Sequence, residues 1–308
     1  MNNVAAKRVV SFLSSATEIL YELKLDNLLF GVTHQCIFPD TAKSKPKVIT
    51  SIINSDGMSS NEIDQKITQF MKSGKNLFNL DSSLLKKLSP DLIITQETCD
   101  VCSPYKGEVE QALEILSYKP SVLKLNPNTL DEILESIIEI ASRLGNLKLA
   151  EQLKNSLLQR IKNIKDLKVQ RKKVICIEWL DPLYVAGHWI PELIEIAGGI
   201  NGLSIKGQRS YKISFSEIID FNPDVVLFMP CGFNLERTLR ESERLICHSD
   251  WKSLSAYSNN EIYALNALSY FSRPSPRVVT GLEIIYKIIN PKPSSIQVPK
   301  DSYKRLQL

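Results

Sequence analysis

The chain has 308 residues, 43% hydrophobic and 23% charged, with a formal net charge of +4. That length suits two globular domains of usual size. A charge this small and scattered excludes nucleic acid as the organising partner, and no apolar run approaches the ~18 residues of a membrane span.

Arg8 to Leu13 is a short β-rich run. Ser14-Ser15-Ala16-Thr17-Glu18 follows and opens a helix carried by Ile19, Leu20 and Leu23. Ser14 or Ser15 is expected to cap it, with Glu18 as capping-box partner. The free N–H groups of that turn also suit an anion or amide of a ligand, which makes Ser14, Ser15 and Thr17 candidate binding residues; a cap alone is the other reading. Leu28 to Thr33 reads as a strand ending in His34-Gln35-Cys36, and Pro46 to Ile49 as a short one. Ser59 to Met71 and Ser82 to Leu88 read as helices, the second stopped by Ser89-Pro90. Asp91 to Ile94 is a buried strand leading to Cys99-Asp100-Val101-Cys102. A helix from Lys106 to Leu116 and a strand from Ser121 to Leu125 complete the first half.

Asn128 to Lys168 contains no proline and holds a helical period through Leu130, Ile133, Leu134, Ile137, Ile138, Ala141 and Leu144. It reads as a spine broken near Gly145; a coiled-coil partner is its rival. Lys173 to Leu180 opens a second α/β half, and Tyr184 to Pro191 is a loop into a helix from Glu192 to Ala197. Ser214 to Asp220 and Leu235 to Ile246 are helices, and Asp224 to Met229 and Ile262 to Leu265 are strands. Asn266 to Pro274 reads as a loop, Arg277 to Ile289 as a closing helix, and 291–308 as a polar tail. Ser89-Pro90-Asp91 and Asn222-Pro223-Asp224 each stop a helix, begin a buried strand and precede a cysteine-bearing loop. That echo argues for two related lobes.

His34, Cys36, Cys99, Cys102 and Cys231 fall at strand ends and suit zinc, iron or cobalt. Buried inert thiols and a redox dithiol remain open beside that reading. Cys176 reads as core, and Cys247 and His248 as a helix end or surface. His188, between Gly187 and Trp189, is a candidate ligand or a structural hydrogen-bonder. Trp179, Tyr184, Trp189, Phe233, Tyr270 and Phe271 suit the walls of a large planar ligand, or lobe packing. Arg273 suits a ligand carboxylate or phosphate, or pins its own loop. No Walker or Rossmann phosphate loop, Gly-x-Ser-x-Gly elbow or His-Glu-x-x-His helix is present, so a kinase or hydrolase reading has no anchor. The first residues show no apolar signal core with a cleavage site, which predicts a cytoplasmic protein with reduced thiols.

On the Ser14–Glu18 loop, the Ser89-Pro90-Asp91-Leu92-Ile93-Ile94 and Asn222-Pro223-Asp224 units and the intervening long helix, residues 8 to 290 resemble the helical-backbone (class III) substrate-binding proteins. His34-Gln35-Cys36, Cys99-Asp100-Val101-Cys102, Glu178-Trp179-Leu180-Asp181-Pro182, Gly187-His188-Trp189, Pro230-Cys231-Gly232-Phe233 and Tyr270-Phe271-Ser272-Arg273-Pro274 look more narrowly like a signal-less branch labelled cobalamin-binding by similarity. The resemblance implies two α/β lobes with mainly parallel sheets, at 1–127 and 169–290, joined by a spine helix at 128–168, with a ligand cleft between them. It implies a binding protein for cobalamin or a related corrinoid, an iron chelate or haem, and docking to an ABC importer. The alternative is a metal- or thiol-dependent enzyme holding zinc or an iron–sulfur centre on the cysteines.

Overall fold

The computed structural model describes residues 5–73, 76–96, 106–167, 169, 171–292 and 295–308. The chain forms two compact units, each carrying a six-stranded sheet. One holds the residues up to Gly57 with Gln65–Pro127 and Asp131–Ser156. The other takes Leu157–Leu308 together with Met58–Asp64 and Asn128–Leu130.

The first half of the chain runs β1 (Val9–Ser11), α1 (Ser14–Glu22), β2 (Leu29–Thr33), β3 (Lys47–Ser51), α2 (Ser60–Lys72), β4 (Phe78–Leu80), α3 (Ser82–Leu88), β5 (Leu92–Gln96), α4 (Lys106–Ile115) and β6 (Ser121–Leu125). Its sheet has the order β4-β3-β2-β1-β5-β6 and is parallel except for the β3–β4 edge. Val9, Val10, Leu92, Ile93 and Ile94 are all fully buried, as central parallel strands covered on both faces must be. The expected cap at Ser14 or Ser15 is not formed. The cap position falls one residue earlier, on Leu13, without a side-chain cap, and Ser14, Ser15, Thr17 and Glu18 lie inside the helix and are buried. Ser11 occupies the approach instead: its hydroxyl donates to Leu13 O and accepts from Leu13 N–H.

The spine is two helices, α5 (Leu130–Leu144) and α6 (Leu147–Lys165). Gly145 separates them at φ +70, a left-handed position that ends a helix cheaply only with glycine.

The second half runs β7 (Val174–Leu180), β8 (Leu183–Val185), α7 (Ile190–Ile196), β9 (Tyr211–Lys212), α8 (Phe215–Phe221), β10 (Val225–Phe228), α9 (Leu235–Ile246), α10 (Ser255–Ser258), β11 (Ile262–Leu265), α11 (Ala267–Tyr270), α12 (Val278–Ile289) and β12 (Tyr303–Arg305). The sheet order is β12-β11-β10-β7-β8-β9, with a parallel centre β11-β10-β7 and antiparallel flanks. Its core gathers Ile175, Ile177, Val226, Phe228, Ile262 and Leu306 around Trp251, whose ring meets Phe215 and Phe228 edge-on. Within the stretch read as a polar tail, β12 pairs with β11 and buries Leu306. The stretch read as a loop from Asn266 to Pro274 includes the short α11, whose first turn Asn266 caps by accepting from Ser269 N–H.

The Pro-Asp echo is structural. Helices α3 and α8 have seven residues each and end on a left-handed residue, Ser89 at φ +45 and Asn222 at φ +44. A basic residue just ahead of the first strand then closes the helix end: Arg8 donates to Ser89 O at 3.2 Å and also to Leu88 O, and Lys173 donates to Phe221 O at 3.1 Å. The cation satisfies carbonyls that the helix leaves free.

Candidate functional site

In the first unit, the expected residues cluster where β1 and β2 end. Thr17 Oγ1 lies 3.0 Å from Cys36 Sγ, and both are buried. The thiol therefore packs as a small hydrogen-bonded side chain inside the lobe. Lys47 donates to Cys36 O at 3.3 Å and to Ala42 O at 3.1 Å, and burial pulls its ammonium below the usual lysine range. His34 is half-buried, with Nδ1 3.1 Å from Thr33 Oγ1 and its ring 6.2 Å from Phe78. Cys99 and Cys102 lie outside the described residues. Among the described residues, no three His, Cys, Asp or Glu side chains are grouped to hold a metal ion.

In the second unit, the turns after β10 and β11 are knitted to the end of β7. Cys231 N–H donates to Glu178 O at 2.9 Å, Leu268 N–H to Phe233 O at 2.8 Å, and Gly232 N–H to Ser272 Oγ at 2.9 Å. Trp179 meets Phe233 edge-on at 5.5 Å, and the Arg237 guanidinium covers Phe233 at 3.8 Å. Arg237 is held in turn by Glu241 at 3.0 Å and by Met58 O, while Glu241 accepts from Ser60 Oγ at 2.6 Å. Three parallel strand ends thus converge on one edge, where open α/β sheets bind ligands.

Burial sorts the aromatic residues. Trp189, Phe233 and Phe271 are packed inside, as is Arg273. Trp179, Tyr270 and Cys231 are half-buried. The indole N–H groups of Trp179 and Trp189 are buried with no hydrogen-bond partner among the described residues. Burial raises the Tyr270 hydroxyl above the ordinary tyrosine range, with Asp301 adding to the effect. Cys176, in the middle of β7, is buried, and its thiol is pushed far up by burial.

His188 stands apart from this edge, because β8 folds back along β7. Its backbone is at φ +54, its N–H donates to Gln208 O at 2.5 Å, and its carbonyl accepts from Gly207 N–H at 2.9 Å. Nδ1 lies 3.0 Å from Asn128 Oδ1. Burial, then the Arg209 charge, pull its pKa below the ordinary histidine value. The preceding Gly187 admits no side chain, since a Cβ would stand 2.4 Å from Gln208 O and 2.5 Å from Ser210 N. Gly187 N–H donates to Ser210 Oγ, which donates to Glu178 Oε1 at 2.7 Å, so the His188 turn is tied back to β7. Asn128, Ser210 and Arg237 were not singled out from the sequence. Asn128 lies 60 residues from His188 and carries no local signal of that role.

Residues 9–268 match the family described as periplasmic binding protein. The chain belongs to that family. The chain is 21% identical over 283 residues to a vitamin B12-binding protein of Vibrio cholerae, covering 90% of this chain and 87% of that one. It is 23% identical over 192 residues to the high-affinity heme uptake system protein IsdE of Staphylococcus aureus, covering 60% of this chain and 63% of the relative, less than two thirds of that protein's length. A periplasmic heme binding protein from Pseudomonas aeruginosa shares its fold, with a TM-score of 0.71 at 17% identity over 98% of this chain and all of the other. The family corrects the expected cytoplasmic location, because its members and structural neighbours are periplasmic. Among the described residues, no helix is long and apolar enough to cross a membrane.

Proposed function

We propose that this binding protein takes a metal-centred small molecule, a corrinoid such as cobalamin or else haem or an iron chelate, and serves an ABC importer. One observation carries the reading: the ends of β7, β10 and β11 are hydrogen-bonded into a single edge that offers Trp179 and Tyr270. Buried Phe233 packs against Trp179 there. A large ring system gains most from such a rigid aromatic face, because the side chains are ordered before the ligand arrives. The relatives' names, vitamin B12-binding and heme uptake, point to the same ligand chemistry.

The test is a titration of ligand-free protein with cyanocobalamin, ferric haem and a ferric siderophore, followed by tryptophan fluorescence and the visible bands. Saturable one-to-one quenching by one of them, weakened about tenfold or more in Trp179→Ala, is expected. Binding of none of the three would sink the reading.

A further inference from the structure

Arg237 is placed against two local rules. It lies in the first turn of α9, where Asn234 caps the helix by accepting its N–H at 2.9 Å, and a cation at that end meets the positive pole of the helix. Its charge partner Glu241 stands four residues later, the weaker order for an ion pair along a helix. Helix energetics therefore do not account for an arginine here, and a residue placed against local preference points to work done elsewhere.

That work is visible at Phe233. The guanidinium covers the ring at 3.8 Å, and the same ring meets Trp179 at 5.5 Å with the planes 60° apart. The Phe233 backbone is already fixed, because its N–H donates to Pro230 O at 3.0 Å and its carbonyl accepts from Leu268 N–H at 2.8 Å. The freedom left to Phe233 is rotation of its side chain, and Arg237 lies over that side chain. A guanidinium is planar, so its N–H groups bond within the plane while its face stacks; an ammonium cannot do both. Nε donates to Glu241 Oε1 at 3.0 Å and Nη2 to Met58 O. Glu241 is held in turn, since Oε2 accepts from buried Ser60, from its N–H at 3.2 Å and its Oγ at 2.6 Å. Met58 and Ser60 belong to the second unit, as do Arg237 and Glu241. The Arg237 and Glu241 side chains are only 19% and 11% exposed, so solvent screens the pair little.

We propose that Met58, Ser60, Glu241 and Arg237 form a brace that holds Phe233 and, through it, Trp179 in one orientation before ligand arrives, with Arg237 as the positioning residue. This rests on the ligand edge proposed above and adds what keeps it rigid. A ring ordered in advance loses less freedom on binding, so the brace acts on affinity.

Two measurements test it. The first needs no ligand. The chain has three tryptophans, Trp179, Trp189 and Trp251, and fluorotryptophan labelling gives each a fluorine-19 resonance, assigned by single tryptophan-to-phenylalanine replacements. Arg237→Lys and Ser60→Ala should shift or broaden the Trp179 line and leave in place that of Trp251, which lies in the core. Arg237→Met alone would leave the Glu241 carboxylate without its cation, so Arg237→Met/Glu241→Gln removes the pair as a whole and should move the Trp179 line most. An unchanged Trp179 line in that double variant would overturn the proposal. So would an equal change at Trp251, which would mark a general loosening of the unit. The second measurement follows stopped-flow binding of cyanocobalamin and ferric haem. The probe that the wild type captures should bind Arg237→Lys about fivefold to tenfold more weakly, with most of the loss in the dissociation rate. Wild-type affinity in both Arg237 variants beside an altered Trp179 line would overturn the inference and leave the ligand class standing. No saturable binding of either probe by the wild type would overturn the role in capture together with the ligand class, while the fluorine spectra would still judge the brace.

Discussion

Asp91 and Asp224 do the same work in the two sheets. Each sits one residue after the proline that follows its helix, and each donates its N–H to the residue that leads into the neighbouring strand, Arg8 O at 3.0 Å and Lys173 O at 2.8 Å. Each carboxylate accepts in return, Asp91 from the N–H groups of Lys7 and Arg8 at 2.9 Å and Asp224 from Lys173 N–H at 2.7 Å. The reciprocal pair sets where the central parallel strands enter the sheet. Asp224→Ala should cost about 1–2 kcal/mol, and Asp91→Ala about 1 kcal/mol or less, because Asp91 is exposed and water can replace it. Urea melts of the two variants check this; an unchanged midpoint for Asp224→Ala would show that solvent serves the Lys173 amide equally well.

Gly187→Ala should be poorly tolerated. The added methyl meets backbone atoms of Gln208, Arg209 and Ser210, not the end of a flexible side chain. Relief requires the 207–210 turn to shift, at about 1–3 kcal/mol, and would break the Gly207–His188–Gln208 grip. Thermal melting combined with the His188 imidazole spectrum tests it. A variant with wild-type stability and an unchanged tautomer would contradict the rigidity ascribed to this turn.

Stability should fall on mild acidification because of His188. Its folded pKa lies below the ordinary value through burial and the nearby Arg209 charge. Above about pH 6.5 the ring is neutral in folded and unfolded chains alike, and full stability is present. Below that pH the unfolded chain takes up a proton that the folded chain resists, so stability drops until the folded ring titrates as well. Denaturant melts at pH 7.5 and 5.5 should show this fall in the wild type and a smaller one in His188→Asn. Equal pH dependence in the two proteins would place the effect elsewhere.

Deleting residues 302–308 should destabilise the second unit by about 2–3 kcal/mol, the worth of burying one leucine. It removes Leu306 from the core and leaves the β11 edge unpaired. An unpaired edge recruits other chains, so size-exclusion chromatography should show oligomers where the full chain shows none of that origin. A truncated chain that melts and elutes like the full one would mean that β12 contributes little.

Much of this architecture was legible because it is locally specified. Leu92, Ile93 and Ile94 are β-formers directly after a Pro-Asp stop, and Ser82–Leu88 and Leu235–Ile246 are bounded by their own capping residues, Asp81 and Asn234. Strands β4, β8, β9 and β12 are not legible in the sequence: Phe78–Leu80 and Leu183–Val185 are only three residues long, and Tyr211-Lys212 and Tyr303-Lys304-Arg305 read as polar loop and are strands only through the partner they lie beside. Ser14 and Ser15 misled for a related reason: serine before an apolar period is the usual sign of a cap, yet here the helix starts earlier and buries both. The aromatic residues of the second unit are recognisable as a group, but a sequence cannot tell a half-buried ring, Trp179, from the fully packed one beside it, Phe233. Asn128 was invisible because its partner is supplied by the fold.

The second unit is assembled from three separate stretches of chain, Met58–Asp64, Asn128–Leu130 and Leu157–Leu308. A fragment cut at the end of the long helix would keep its whole sheet yet lose Asn128 from His188, Ser60 from Glu241 and the Met58 carbonyl from Arg237. Ribosomal synthesis meets the same order: the sheet of this lobe is translated last, onto two short pieces that have been waiting since the first half emerged. The Trp179 edge and the His188 turn can therefore reach their final form only when nearly the whole polypeptide has been made, so neither a nascent chain nor a proteolytic half carries them complete.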